Sequence, residues 1–240
     1  MRPGHGGTSL AMDQAMPTLR PEVAHRFDAA RHLMIEAHLK TRGITDRQVL
    51  HAMAGVPREL FVPRHLAIDA YADVELELEH ARGQLISSPY VVATMIQALC
   101  VQARDRVLEI GTGSGYTAAV LSQLARHVCT IECLPELAMA AETRLIACGY
   151  RGIDVMLGDG MRGWPEHSPY DCIIVSGSVP AIPRPLIAQL ALGGRLVMPL
   201  ARDGEPLLVR ITRAATQGLV MRELHPIRID PLLIDETTTN

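Results

Sequence analysis

The chain has 240 residues, 48% of them hydrophobic and 20% charged, enough to bury one substantial core or one core with a small appendage. Its net charge is −3 and its basic residues are scattered, so it lacks the positive stripe that a phosphate backbone requires, and nucleic acid is not an expected partner. The longest nearly apolar run, Val91 to Val101, is about half of the ~20 residues that a membrane span needs.

Residues 1–20 contain no apolar segment ahead of a small-residue cleavage site, so they read as a flexible tail rather than a secretory signal. From Pro21 to Lys40, Val23, Phe27, Ala30, Met34 and Ala37 recur at the spacing of one helical face, and Gly43 ends the pattern. Thr45 or Asp46 can cap a second helix over DRQVLHAMAGV, which Pro57 and Pro63 terminate. Glu75, Glu77 and Glu79 alternate with Leu76 and Leu78 like a strand with one charged, solvated face. Ser88 and Pro89 suit the cap and first turn of a helix running to Val101.

From Asp105 the pattern changes. RVLEI, VCTIE and IDVMLGD alternate with the helical runs YTAAVLSQLARH and PELAMAAETRLIACG, which argues for an α/β fold with a parallel sheet covered by helices on both faces. YDCIIVSG, GGRLVMPL, PLLVRITRA and LVMRELHPIRI add four strands, the last two joined by a short turn as an antiparallel hairpin. The expected division is a tail (1–20), an N-terminal helical appendage with a loop (21–104), an α/β domain (105–232) and a C-terminal tail (233–240).

The strongest chemical signal is VLEIGTGSGY, where a strand runs into Gly111, Gly113 and Gly115 and then into a helix. Alternate glycines let a ligand lie against the main chain at the end of a strand. Tyr116 stands where a dinucleotide fingerprint wants its third glycine, and no lysine follows as a Walker loop demands. Glu109 before the glycines and Glu132 closing the next strand suit a ligand with hydroxyls and positive charge. S-adenosylmethionine has both, and Glu132 is placed to accept from its ribose. Asp159, in LGDG with Gly160, either accepts from the adenine amine or makes an Asx turn.

Other residues weigh less. Cys129 and Cys133, four apart on one strand, would be separated by roughly 13 Å, too far to share a metal ion. Nothing completes a ligand set with His25 and His32, so no metal is expected. The five cysteines, Cys100, Cys129, Cys133, Cys148 and Cys172, are an odd number and read as reduced thiols of a cytoplasmic protein. His80 reads as an exposed loop residue. Trp164 reads as a packing residue, with a wall of the adenine site as the other possibility.

GITDRQVLHAMAGVPRELFVP, GQLISSPYVVATM, RVLEIGTGSGYTAAVLSQL, GDGMRGWP and YDCIIVSGSVPAIPRPLIAQLALGGRLVMPL, in that order, resemble the signatures of the protein-L-isoaspartate O-methyltransferase family over roughly Ala30 to Leu232. The resemblance implies a Rossmann-like sheet of seven strands and S-adenosyl-L-methionine as donor, held by Glu109, Gly111, Thr112, Gly113, Gly115, Glu132, Asp159 and Gly160. It also implies methylation of L-isoaspartyl side chains in damaged proteins. Ser87 corresponds to the family's characteristic serine and is the expected donor to the substrate carboxylate, with Ser88 and Arg228 as further substrate contacts. The chain departs from the family at Leu85, at the EHAR segment, at Ser176, Gly177 and Ser178, and at Asp230, whose charge would oppose an anionic substrate. These departures keep two alternatives open: a related enzyme acting on another carboxylate, and a cofactor-binding module without turnover.

Overall fold

The structure, a computed structural model, describes residues 21–78, 82–216 and 218–233. Glu79, His80 and most of the two tails, about which the sequence raised expectations, lie outside these residues. No described helix is long and apolar enough to cross a membrane.

The first helix, α1 (Pro21–Leu33), runs on through a π-helical stretch at Met34–Leu39 and a 3-10 turn at Lys40–Arg42. Asp46 caps α2 (Arg47–Gly55), its carboxylate accepting from the backbone N–H groups of Gln48 and Val49. Two short 3-10 turns, Arg58–Leu60 and Arg64–Asp69, lead to a ribbon in which β1 (Leu76–Glu77) pairs antiparallel with β2 (Leu85–Ile86). Ser88 then caps α3 (Pro89–Leu99) by accepting from the Val91 N–H, with Pro89 in the first turn where its missing N–H costs nothing.

Seven strands make the main sheet: β3 (Arg106–Ile110), β4 (His127–Glu132), β5 (Ile153–Leu157), β6 (Tyr170–Val175), β7 (Leu190–Leu200), β8 (Leu207–Ala214) and β9 (Gly218–Pro226). Their order is β5-β4-β3-β6-β7-β8-β9. The five strands from β5 to β7 are parallel, and β8 and β9 are antiparallel. The expected α/β architecture and closing hairpin are therefore present, and the reversal begins one strand earlier, at β7 and β8. The intervening helices are α4 (Tyr116–Ser122), α5 (Pro135–Ala147) and α6 (Arg184–Ala188).

Strand alternation sends Val107 and Val128 to one face of the sheet and Leu108, Ile110, Cys129 and Ile131 to the other. The first face packs against α3, α4 and the N-terminal helices in one continuous cluster that includes Met34, Met53, Leu99, Leu121 and Val197. The pattern change at Asp105 therefore marks a change of local structure, while the core runs straight across it. The second face is covered by α6 and by the turns between β5 and β6.

Within the N-terminal part, Arg58 is completely buried. Its Nε donates to the Ala70 carbonyl and its Nη2 to the Ser87 carbonyl, both at 2.8 Å, and its guanidinium lies 4.7 Å from the centre of the Tyr116 ring. Replacing it with methionine keeps the volume but leaves both carbonyls without their donor, and each costs about 1–3 kcal/mol. Arg58→Met should therefore lower the urea midpoint clearly, whereas an exposed control such as Arg64→Met should leave it nearly unchanged.

Candidate active site

The carboxyl ends of β3, β4 and β6 open into a cleft of about 800 Å³, at the point where the chain leaves β3 toward β4 on one side and β6 lies on the other. Its lining includes Ser87, Ile110, Gly111, Thr112, Gly113, Glu132, Asp159, Gly160, Ser176 and Leu232.

The glycine turn forms one wall. Gly113 has φ of 52°, a left-handed conformation that glycine adopts without strain, and this turns its N–H onto Glu132 Oε2 at 2.9 Å. Glu132 Oε1 accepts from the N–H groups of Cys133 and Leu134 at 3.0 and 3.1 Å. Three main-chain donors thus lock a carboxylate that is only 6% exposed, and Oε2 keeps capacity for a further hydroxyl donor. Thr112 supports the turn from below, its hydroxyl 2.7 Å from that of Thr130.

Asp159 makes the Asx turn and also lines the cleft: its Oδ1 accepts from the Met161 N–H at 2.9 Å and its Oδ2 lies 3.5 Å from Arg162 Nε. Beside it, a Cβ on Gly160 would come within 2.3 Å of Ile110 Cγ2, so only glycine lets this turn lie flat on the floor.

Ser87 stands on the same cleft, half-buried, in the segment whose carbonyl Arg58 holds. Ser88 turns the other way, spends its hydroxyl on the helix cap and borders a neighbouring hollow with exposed Arg228, Asp73, Glu75 and Tyr90. Leu85 borders both spaces. The structure therefore brings Ser87 to the glycine turn and places Ser88 and Arg228 one hollow away. Burial pushes the Glu75 carboxyl up, the nearby Asp230 charge adds to the rise, and Arg228 pulls it down.

Glu109 and Gly115 do not reach the cleft. Glu109 is fully buried beneath it, accepting from Thr130 Oγ1 at 2.7 Å and from Ser176 Oγ at 3.4 Å. Burial pushes its carboxyl up to about 8 against the two hydrogen bonds, and nearby Glu132 adds to the rise. Its place just before the glycines suggests cofactor contact, but strand alternation turns the side chain into the protein. Gly115 backs onto Leu145, where a Cβ would come within 3.3 Å of Cγ, and so serves the packing of α4 on α5. Trp164 is absent from the lining and packs on the second face of the sheet.

The departure at Gly177 has a packing cause. The segment after β9 crosses here, with Ser178 N–H donating to the Asp230 carbonyl and Leu232 N–H to the Ser178 carbonyl. A Cβ on Gly177 would lie 2.7 Å from Leu232 Cα, so alanine would push that segment away. Leu232 and Leu233, which sequence reasoning did not single out, thereby become part of the cleft wall. The one available signal was the glycine itself, as a mark of close main-chain approach.

A family model described as Protein-L-isoaspartate(D-aspartate) O-methyltransferase matches residues 29–236. The chain is 48% identical over 204 residues to Protein-L-isoaspartate O-methyltransferase 1 of Geotalea uraniireducens, covering 85% of this chain and 92% of that relative. It is 46% identical over 207 residues to Protein-L-isoaspartate O-methyltransferase 2 of Marinobacter nauticus, covering 86% and 94%. A solved protein-L-isoaspartate O-methyltransferase superposes with a TM-score of 0.73 at 26% identity, over 84% of this chain and 65% of that one. A Plasmodium falciparum structure described as a protein-L-isoaspartate O-methyltransferase in complex with S-adenosyl-L-homocysteine gives a TM-score of 0.71 at 21% identity, over 85% and 98%, a likeness of fold. With nearly the whole described chain matched by the family model, and with relatives of almost the same length at close to half identity, the chain belongs to the protein-L-isoaspartate(D-aspartate) O-methyltransferase family.

Proposed function

We infer that this protein transfers a methyl group from S-adenosyl-L-methionine to the side-chain carboxylate of L-isoaspartyl residues in damaged proteins, with Ser87 orienting the acceptor. The observation that carries the assignment of roles is the meeting, in one cleft, of the Ser87 hydroxyl with the locked carboxylate of Glu132 and the glycine turn.

The residues fit the donor molecule. Glu132 holds a fixed negative charge with room for a ribose hydroxyl, the turn at Gly111 to Gly113 presents main chain instead of side chains, and Asp159 with the flat Gly160 suits an adenine edge. When bound, S-adenosyl-L-methionine supplies a methyl group on a positively charged sulfur, open to direct attack by an oxygen nucleophile. A substrate carboxylate, with a pKa near ~4, is already ionised at neutral pH, so the protein needs no general base. Its task is alignment: the Ser87 hydroxyl donates to one carboxylate oxygen and leaves the other to attack. Arg58, through the Ser87 carbonyl, fixes where that hydroxyl stands.

Three measurements test these roles. Labelled donor with matched isoaspartyl and aspartyl peptides should give transfer to the isoaspartyl peptide, and equal or absent transfer would overturn the specificity. Ser87→Ala removes one hydrogen bond to a charged group, worth about 1.5–3 kcal/mol, so kcat/KM should fall about 10- to 100-fold. Calorimetry of the same variant with S-adenosyl-L-homocysteine should give an almost unchanged affinity. Glu132→Gln should weaken that affinity by about tenfold or more, because it removes the charge from the ribose acceptor.

Glu109 sets a pH dependence of stability. Its folded pKa of about 8 lies above the ordinary 4.5, so the folded protein holds this proton more tightly than the unfolded chain. Its contribution is fully present below about pH 4.5 and is lost as pH rises through about 8. Glu109→Gln stays neutral throughout, so its unfolding free energy, followed by urea denaturation across that window, should fall less with rising pH than that of the parent protein.

A further inference from the structure

On the second face of the sheet, outside the lining of the cleft, four side chains with metal-binding atoms converge: His127 and Cys129 from β4, Asp154 from β5 and His167 from the 3-10 turn at Pro165–His167. We propose that they form a closed, four-coordinate Zn²⁺ site that clamps the β5–β6 connection to the sheet.

The geometry arises from strand pairing. His127 and Cys129 are two apart and share a face, and Cys129 is register-paired with Asp154 on the neighbouring strand. The four donor atoms all lie within 4.8 Å of one another. His127 Nε2 is 2.9 Å from Asp154 Oδ2, Cys129 Sγ is 3.6 Å from His167 Nδ1, and His167 Nδ1 is 4.0 Å from Asp154 Oδ2. Tetrahedral zinc with nitrogen, oxygen and sulfur ligands at about 2.0–2.3 Å needs donor separations of about 3.3–3.8 Å, so side-chain adjustments of under about 1 Å complete the shell. One thiolate and one carboxylate with two neutral imidazoles balance the charge of a divalent cation, and the mixed donor set favours zinc over magnesium or calcium.

The surroundings suit a structural site. Cys129 is completely buried, while the side chains of His127, His167 and Asp154 are 29%, 33% and 45% exposed, which gives the ion a path from solvent. The Trp164 ring packs on His167 with centroids 4.2 Å apart and sets the orientation of the imidazole. On coordination the Cys129 thiol releases its proton to solvent and forms the metal–sulfur bond, with no change of oxidation state. The site lies roughly 10 Å along β4 from Glu132. The segment it would tie down begins at Asp159, Gly160 and Met161 on the cleft floor.

The test starts with chelator-stripped full-length protein and Zn²⁺ alone. Equilibrium dialysis with elemental analysis should find one zinc per chain and a higher melting temperature with metal. Cys129→Ser and His167→Asn should each weaken binding by about 100-fold or more, beyond the range for losing a supporting partner. Cys133→Ser should leave it unchanged. Co²⁺ in place of zinc should show a thiolate-to-cobalt charge-transfer band that Cys129→Ser abolishes. Because His167 is partly exposed, its variant serves as the folded check by circular dichroism should Cys129→Ser disturb the core. Zinc binding no tighter than millimolar, or binding that survives both ligand substitutions, would overturn the proposal.

Discussion

A single buried cation organises this molecule. Arg58 gives up all of its hydration, a penalty of several kcal/mol for an isolated charge, and burial accordingly lowers its pKa. Two main-chain carbonyls and the face of Tyr116 offset that cost. Those three partners belong to the loop before the ribbon, to the segment that carries Ser87 and to the first residue after the glycine turn. The Ser87 segment and the residue that follows the glycine turn are thus referenced to one guanidinium. Lysine could not replace it, since one ammonium cannot reproduce the planar fork that reaches two carbonyls while stacking on a ring.

The cleft is built by the same economy of shared groups. Glu132 is held by three N–H donors that the glycine turn and the start of α5 would otherwise leave to water, so fixing the carboxylate also satisfies the turn. Ser176 serves Glu109 beneath the floor, and Gly177 gives passage to the segment that brings Leu232 and Leu233 over the opening. At Gly177 the lack of a side chain goes with the close approach of the crossing chain at Leu232. Leu85, another departure, sits between the cleft and the hollow that holds Arg228.

Much of this was legible along the chain because it is local. The Asp46 and Ser88 caps, the parallel strands as unbroken apolar runs, and the glycine turn with Glu132 after the next strand all follow from spacing within about 20 residues. The ribbon was only half visible, since Leu76 alternates with charged neighbours while Leu85 and Ile86 carry no strand pattern of their own. The burial of Glu109 was not legible, because a carboxylate beside a ligand turn and one beneath it have the same sequence. Position in family segments groups Ser88 and Arg228 with Ser87; the fold separates Ser88 because successive residues at a helix start point in different directions, and Arg228 because it lies on the chain after β9.

The sequence alone determined the order of elements, the kind of ligand the glycine turn can take and the family to which the Ser87 segment belongs, since each depends on residues close together along the chain. Only the tertiary structure decided which polar groups share a space. Arg58 meets Ser87 across 29 positions, Gly177 meets Leu232 across a crossover, and Cys129 finds Asp154 and His167 on a neighbouring strand and turn rather than Cys133 just past the end of its own strand. Strand register and chain crossing set those distances, and neither is written in local periodicity.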